Sequence, residues 1–403
     1  MVSVDEAYRI VLENISTLPI QEVNIKEAVG LCLAEDAVSD IDMPPFDKSA
    51  MDGYAVIAED TLSPSGTPVE LQVIEEVTAG QFPMKKVERG QATKIMTGAA
   101  LPQGADAVTK VEDTEPLEGN RVKILKGVEK GKNISPRGED FQAGQVVIKR
   151  TTLLRPQEIG VLAMIGMEKV KVYSTPKIGI ITTGNELVEV SCKPARGQIR
   201  ESNSYSLAAQ VFQARAEAER LGTARDDRKS LITAIKRGLK KDLLLITGGV
   251  SMGESDLVVS VLKELGVNLF FEKIAMRPGK PMVFGKYYKT AVFGLPGNPV
   301  ATYVSFELFV RPAIRKMMGF TKLSRTVIKA RLETPLRSKG ERKEFRPAWL
   351  HPEDGKFFVS AVEWHGSADL LGTTKGNSLL IVPESVESLP VGQEVEVILT
   401  GEI

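Results

Sequence analysis

Three apolar runs in the second half of the chain each break into a glycine-marked turn: KIGIITTGNEL (177–187), DLLLITGGVSMGESD (242–256) and TAVFGLPGNPVATYVSF (290–306). Four or five apolar residues without alternation predict a strand buried on both faces, as in a parallel sheet covered by helices. Each run is expected to pass through its turn into a helix. The turns would then gather Gly184, Gly248, Gly249, Gly253, Gly294 and Gly297 at the carboxyl ends of neighbouring strands. Open α/β sheets bind ligands there, with backbone N–H groups presented to an anion. The same loops carry Glu186, Glu254 and Asp256, and acids among anion-binding loops need a cation between them and the ligand. The pattern points to a phosphorylated ligand held partly through a divalent metal.

A chain of 403 residues exceeds what one hydrophobic core organises, so two to four domains are expected. Lys plus Arg and Asp plus Glu are equal at 52 each, which leaves no global field for nucleic acid or an anionic membrane. Cys32 and Cys192 are too far apart for metal spacing, and so few thiols suit a reducing compartment. The start, MVSVDEAYRI, has neither a basic nor an apolar leader region, and no apolar run reaches membrane length, which predicts a cytoplasmic protein.

Ser3 to Ile15 reads as a helix with Ser3 and Glu6 as a capping box, and a second short helix is expected over Ile25 to Leu33. Short β-rich runs punctuated by Gly and Pro follow from Tyr54 to about Lys149, then a helix opened by Pro156. Residues 177 to about 319 form the α/β unit. Within it, SLAAQVFQARAEAERLG (206–222) is divided into a helix ending near Ala214 and a strand. From about Lys322 the β alternation returns and predicts a small barrel or sandwich.

MPPFDKSAMDGYAV (43–56) is the densest polar and glycine-bearing segment of the first half. By itself it reads as a surface loop with a solvated acid pair. Together with TAG (78–80), KIMTGAALPQGADAVTKVED (94–113) and SPRGEDFQAG (135–144), however, it closely resembles the molybdopterin molybdenumtransferase (MoeA) family, to which the gephyrin E domain belongs. TTGNEL, ESNSY, RDD, TGGVSMGESD, MRPGKP, LPGNP and, more loosely, GSADLL extend the resemblance in order over essentially the whole chain.

The resemblance implies a multidomain α/β plus β fold. Its parts would be a three-layer α/β/α molybdopterin-binding domain (176–321), a β-rich insertion (46–145), a helical linker and dimerisation domain (1–45 and 146–175) and a C-terminal β-barrel-like domain (322–403). It also implies insertion of molybdate into adenylylated molybdopterin with Mg²⁺-dependent hydrolysis, giving molybdenum cofactor and AMP, in a homodimer with a molybdopterin adenylyltransferase as a further partner. Carried over by motif, the catalytic residues would be Asp52, Thr97, Asp140, Glu186 and Asp226, and the metal ligands Glu186, Asp226 and Asp256. Pterin and nucleotide would meet Gly184, Gly248, Gly249, Ser251, Gly253, Pro296, Gly297, Asn298 and Pro299, with Arg277, Lys280 and Ser367 at the oxyanion.

For Glu186, Asp226 and Asp256 a role as helix N-terminal acids stays open. Further basic candidates for molybdate are Lys48, Lys94, Lys110, Arg137, Arg342 and Arg346, while His351 and His365 are given no role. Arg277 stands where many relatives carry Lys, which keeps the charge and adds a planar fork. The rival functions are molybdopterin adenylylation and a non-catalytic molybdopterin-binding scaffold. Molybdate and tungstate are too alike in size to be told apart from sequence.

Overall fold

A computed structural model describes residues 1–63, 67–249 and 257–402. Ser251, Gly253, Glu254 and Asp256 lie outside them. The chain divides into two compact units, one of residues 1–34, 151–155 and 169–403, the other of 35–150 and 156–168. No helix among the described residues is long and apolar enough to cross a membrane.

Helix α1 (Val4–Glu13) starts where expected, Ser3 Oγ accepting from the Glu6 N–H at 3.1 Å. The helix predicted over Ile25 to Leu33 is reduced to one 3-10 turn, Ile25–Glu27. Gly30, at φ +85°, ends any continuation, and Cys32 and Leu33 instead form bridges to Leu153 and Val172.

The second unit is built on a six-stranded sheet of β1 (Gly53–Val56), β2 (Val69–Val77), β3 (Gln91–Ile95), β4 (Ala107–Lys110), β5 (Thr114–Leu117) and β6 (Arg121–Ile124), in the order β4-β1-β3-β2-β6-β5. Alternation puts Tyr54 and Val56 in one buried cluster and Ala55 in another, so both faces of β1 are covered. Gly53 is required by close approach, because a Cβ there would lie 1.9 Å from the Thr109 carbonyl oxygen on β4. Helix α2 (Pro156–Met164) follows, opened by its proline as expected.

The α/β part of the first unit contains β7 (Lys177–Thr183), α3 (Asn203–Gln213), β8 (Glu217–Ala224), α4 (Arg228–Gly238), β9 (Leu243–Thr247), α5 (Leu257–Glu264), β10 (Asn268–Lys273), β11 (Pro281–Tyr287), β12 (Thr290–Leu295), α6 (Pro299–Ser305) and α7 (Arg311–Met317). The sheet order is β8-β7-β9-β12-β11-β10; the first four strands are parallel, and β11 pairs antiparallel with both β12 and β10. Period-two alternation makes it the middle of three layers. Leu243 and Leu245 pack with residues of α3, α6 and α7, while Leu244 and Ile246 pack with residues of α4 and α5. Helices follow the turns after β9 and β12, but the turn after β7 does not lead into one. Leu187–Val188 pairs in parallel with Ile199–Arg200 before α3 begins.

The remaining strands, β13 (Val327–Leu332), β14 (Lys343–Glu353), β15 (Lys356–Ala361), β16 (Ser378–Val382) and β17 (Glu394–Leu399), pair as β14-β15-β13-β17-β16 and back to β14. This is a closed five-stranded barrel, which decides between the barrel and sandwich expectations.

Two glycine substitutions test the packing with opposite signs. Gly53→Ala should lower the melting temperature of the β-rich unit by an amount matching about 1–3 kcal/mol of overpacking. Gly160→Ala, inside α2 with open space around its Cα, should raise stability by up to about 1 kcal/mol through helix propensity. Thermal melts of both variants check this, and equal effects would refute the close approach at β1.

Candidate functional site

A cavity of about 710 Å³ opens at the carboxyl ends of β7, β9 and β12. It lies where the strand order reverses, with β8 on one side of β7 and β9 on the other, the place where open α/β sheets hold ligands. Two glycines let the turns converge. Gly248 has φ +93°, and a Cβ there would stand 2.3 Å from the Thr183 carbonyl oxygen. At Gly249 (φ +63°) it would meet a Val258 methyl at 2.7 Å. Hydroxyl and amide groups lock the turns together: Thr247 Oγ1 and Thr302 Oγ1 both donate to the Pro296 carbonyl, at 2.8 and 2.5 Å. Asn203 Nδ2 donates to the Gly297 carbonyl at 2.8 Å and to Thr247 Oγ1 at 3.0 Å.

Glu186 and Asp226 share this cavity. Asp226 Oδ1 accepts from the Thr183 hydroxyl at 2.7 Å and Oδ2 from the Asn185 N–H at 3.2 Å. Neither acid is a helix cap. The cap of α4 is Asp227, which accepts from the Ser230 N–H, and Glu186 precedes the Leu187–Val188 strand. The Glu186 carboxylate folds back over Gly184, where a Cβ would lie 2.8 Å from both of its oxygens. Two carboxylates on one polar wall fit a hard cation that keeps several waters. Among the described residues no three acidic, histidine or cysteine side chains converge as a complete metal cage.

A second cavity, of about 470 Å³, is walled by Arg277, Lys280, Arg342, His365, Pro296 and Ser367 and shares Asn298 and Ala368 with the first. Among the described residues no carboxylate lines it. Arg277 pairs with Glu344 at 3.3 Å, whereas the Lys280 ammonium has no ion pair or hydrogen bond among the described residues. Asn298 Nδ2 donates to Ser367 Oγ at 2.8 Å, fixing the wall between the two cavities.

In the β-rich unit three of the motifs meet in one loop cluster. Gly98 N–H donates to the Ser49 carbonyl, Ala50 N–H to the Asn133 carbonyl, and Arg137 N–H to Asp47 Oδ1. Asp52 Oδ1 accepts both from the Thr97 backbone N–H at 2.7 Å and from its hydroxyl at 2.8 Å. The first of these, then the second, holds the exposed Asp52 carboxyl below its ordinary range. Asp140 is exposed in the same cluster, its N–H donating to the Met43 carbonyl. Of the other basic candidates, Lys94, Lys110, Arg137 and Arg346 are paired with Glu76, Asp113, Asp42 and Glu344.

Sequence reasoning did not single out Thr183, Asn203 and Thr247, which shape the larger cavity. Asn203 sits inside the quoted ESNSY run; the threonines were hidden as ends of apolar strands. His365, given no role, lines the basic cavity.

Residues 2–166 match the model described as "MoeA N-terminal region (domain I and II)", 179–316 the "Probable molybdopterin binding domain", and 329–400 the "MoeA C-terminal region (domain IV)". A molybdopterin molybdenumtransferase of Bacillus subtilis is 35% identical over 406 residues, covering 100% of this chain and 94% of the relative. The chain belongs to the MoeA family. A second MoeA-type relative, the molybdopterin molybdenumtransferase of a Nostoc species, is 36% identical over 99% of this chain and 94% of its own. The crystal structure of a MoeA protein from Pyrococcus horikoshii OT3 superposes with a TM-score of 0.85 at 35% identity, over 99% of this chain and 100% of that one.

Thr97→Val keeps the backbone donor to Asp52 and removes the hydroxyl. The Asp52 pKa should therefore rise toward the ordinary carboxylate range, read by carboxyl NMR titration. A depressed carboxylate pKa adds stability above the ordinary range that is lost as pH falls through the depressed value. In Thr97→Val that loss should be smaller and complete at a higher pH, and an unchanged titration would remove the hydroxyl from the account.

Proposed function

We propose that the chain acts in molybdenum cofactor biosynthesis as a molybdopterin molybdenumtransferase. It would take adenylylated molybdopterin and molybdate and release AMP and molybdenum cofactor in a Mg²⁺-dependent hydrolysis. The observation that carries this reading is the pair of adjoining cavities, which among the described residues are one glycine-walled with two carboxylates and one basic with no carboxylate in its wall. A phosphoric anhydride in the first and an oxyanion in the second would be neighbours across Asn298 and Ser367.

Cleaving such an anhydride is chiefly a matter of positioning and charge neutralisation. Glu186 and Asp226 would hold Mg²⁺, which supplies charge neutralisation at the anhydride oxygens. Asp226 is itself held by Thr183 and Asn185, so its position is fixed before substrate arrives. Lys280, unpaired among the described residues, with Arg277 and Arg342 would balance the molybdate dianion. The pterin dithiolene provides the sulfur ligands, so the protein needs no thiol pair, and Cys32 is buried far inside a core cluster. In this reading the chain works as a homodimer, with Asp52, Thr97 and Asp140 contributing to catalysis.

Single-turnover AMP release from adenylylated molybdopterin tests the assignment. Glu186→Gln and Asp226→Asn should each slow it about a hundredfold or more, the size of one lost electrostatic contact in a transition state, with pterin binding retained. Lys280→Ala should raise the molybdate concentration needed for half-maximal AMP release. Wild-type rates in all three variants would overturn the reading.

A further inference from the structure

Among the described residues the Arg311 guanidinium has no hydrogen-bond acceptor. Arg311 lies on α7 with 14% of its side chain exposed, and its Nε is closed off from solvent without a partner. The nearest carboxylate, Glu307, is 4.0 Å away and 2% exposed. That carboxylate is already committed: Oε2 accepts from Arg325 Nε at 2.7 Å, and Oε1 from Arg325 Nη2 at 3.3 Å and Gln210 Nε2 at 3.1 Å. Buried cations are ordinarily paired, and an orphaned buried group calls for a missing ion or water.

The same guanidinium lines a cavity of about 220 Å³ whose wall also holds Arg315, Lys322, Ser324, Arg325 and Thr326, with the end of β17 closing one side. Among the described residues these four cations have a single ion-pair partner, Glu307. The other partners are neutral: Arg315 Nε donates to the Lys322 carbonyl at 2.8 Å and its guanidinium lies over the Phe320 ring, while Lys322 Nζ reaches Thr326 Oγ1 at 3.3 Å. Cys32, which feels the charge of Arg315, brings no negative charge of its own, since burial pushes its thiol up to about 11. Burial, then repulsion from Arg325, brings Arg311 down to about 10, so it remains charged near neutrality. The arrangement raises electrostatic repulsion in a poorly solvated place, with no matching acid among the described residues.

We propose that this cavity is a binding site for one tetrahedral oxyanion of the phosphate or sulfate type, held by Arg311 together with Arg315, Lys322 and Arg325. Its volume suits a single such anion with accompanying water and is below the usual range for nucleotide-sized ligands. It shares no wall residue with the two cavities at the strand ends, so the site does not depend on the activity proposed above. Its walls come from α7 of the α/β layer, from the segment leading into β13 and from the end of β17. A bound anion would tie the barrel to the helix.

The test uses the full chain carrying Lys280→Ala, which weakens the other basic cavity as an anion site. Phosphate, sulfate and molybdate are added at constant ionic strength, with chloride as the control, and read by melting temperature and by equilibrium dialysis with labelled phosphate. The expected result is a saturable rise in melting temperature with phosphate and sulfate and binding of one phosphate per chain. A response to molybdate alone would make the site one for the substrate oxyanion and overturn the proposal as stated. Adding Arg311→Met should abolish the rise, and in anion-free buffer this variant should melt at or above its parent, because an uncompensated cation has gone. Lys322→Met, at an exposed position, should fold normally and weaken phosphate binding severalfold; it decides the matter should Arg311→Met fail to fold. Absence of saturable binding, or binding unaltered by loss of the Arg311 or Lys322 charge, would overturn the proposal.

Discussion

The turns after β7, β9 and β12 converge because Gly248 has no side chain. Its backbone lies so close to the Thr183 carbonyl that any β-carbon would collide with it. The larger cavity depends on that approach. With the turns apposed, the hydroxyls of Thr247 and Thr302 share the Pro296 carbonyl, Asn203 reaches Gly297, and Thr183 is left facing Asp226. Each of these bonds satisfies a polar group that the buried strand ends would otherwise strand away from water. The wall that receives the ligand is therefore also the device that closes the top of the sheet.

Much of this could be read from the chain because local chemistry and long-range packing agree there. Apolar runs such as LLLIT and AVFGL read as double-sided strands and the glycines after them as turns, although Gly294, expected in a turn, lies inside β12 paired with Ile246 and Val283. The placing of a strand after Ala214 also follows from the demands of an α/β unit, and β8 runs from Glu217 to Ala224. The failures came where two local signals competed. Residues 25–33 have helical composition, but Gly30 and the bridges of Cys32 and Leu33 give the backbone better partners. After β7 the expectation of an immediate helix ignored the strand-forming Leu187–Val188 pair. The parallel pairing of Leu187–Val188 with Ile199–Arg200 therefore intervenes before α3.

The site was legible in a different way. Acids and glycines stood out by type and by their motif order, so Glu186, Asp226, Gly248 and Asn298 could be named in advance, and they line one cavity. The residues that hold them could not. Thr183 and Thr247 look like ordinary strand ends until the neighbouring turn is folded onto them. Arg311 is the extreme case. On the sequence it is one of 52 basic residues, and only the commitment of Glu307 to Arg325 reveals that it is left without an acceptor among the described residues.

The C-terminal strands close into a ring in which β14 is paired on both sides, with β15 and with β16. A strand with two neighbours cannot shift by one residue without inverting its inward and outward faces and breaking two ladders at once. A closed ring also offers no free strand to another chain. Changes in length in this part of the molecule are therefore confined to its turns. Divergence among related chains should accumulate there as insertions and deletions, while the strands themselves change only by substitution.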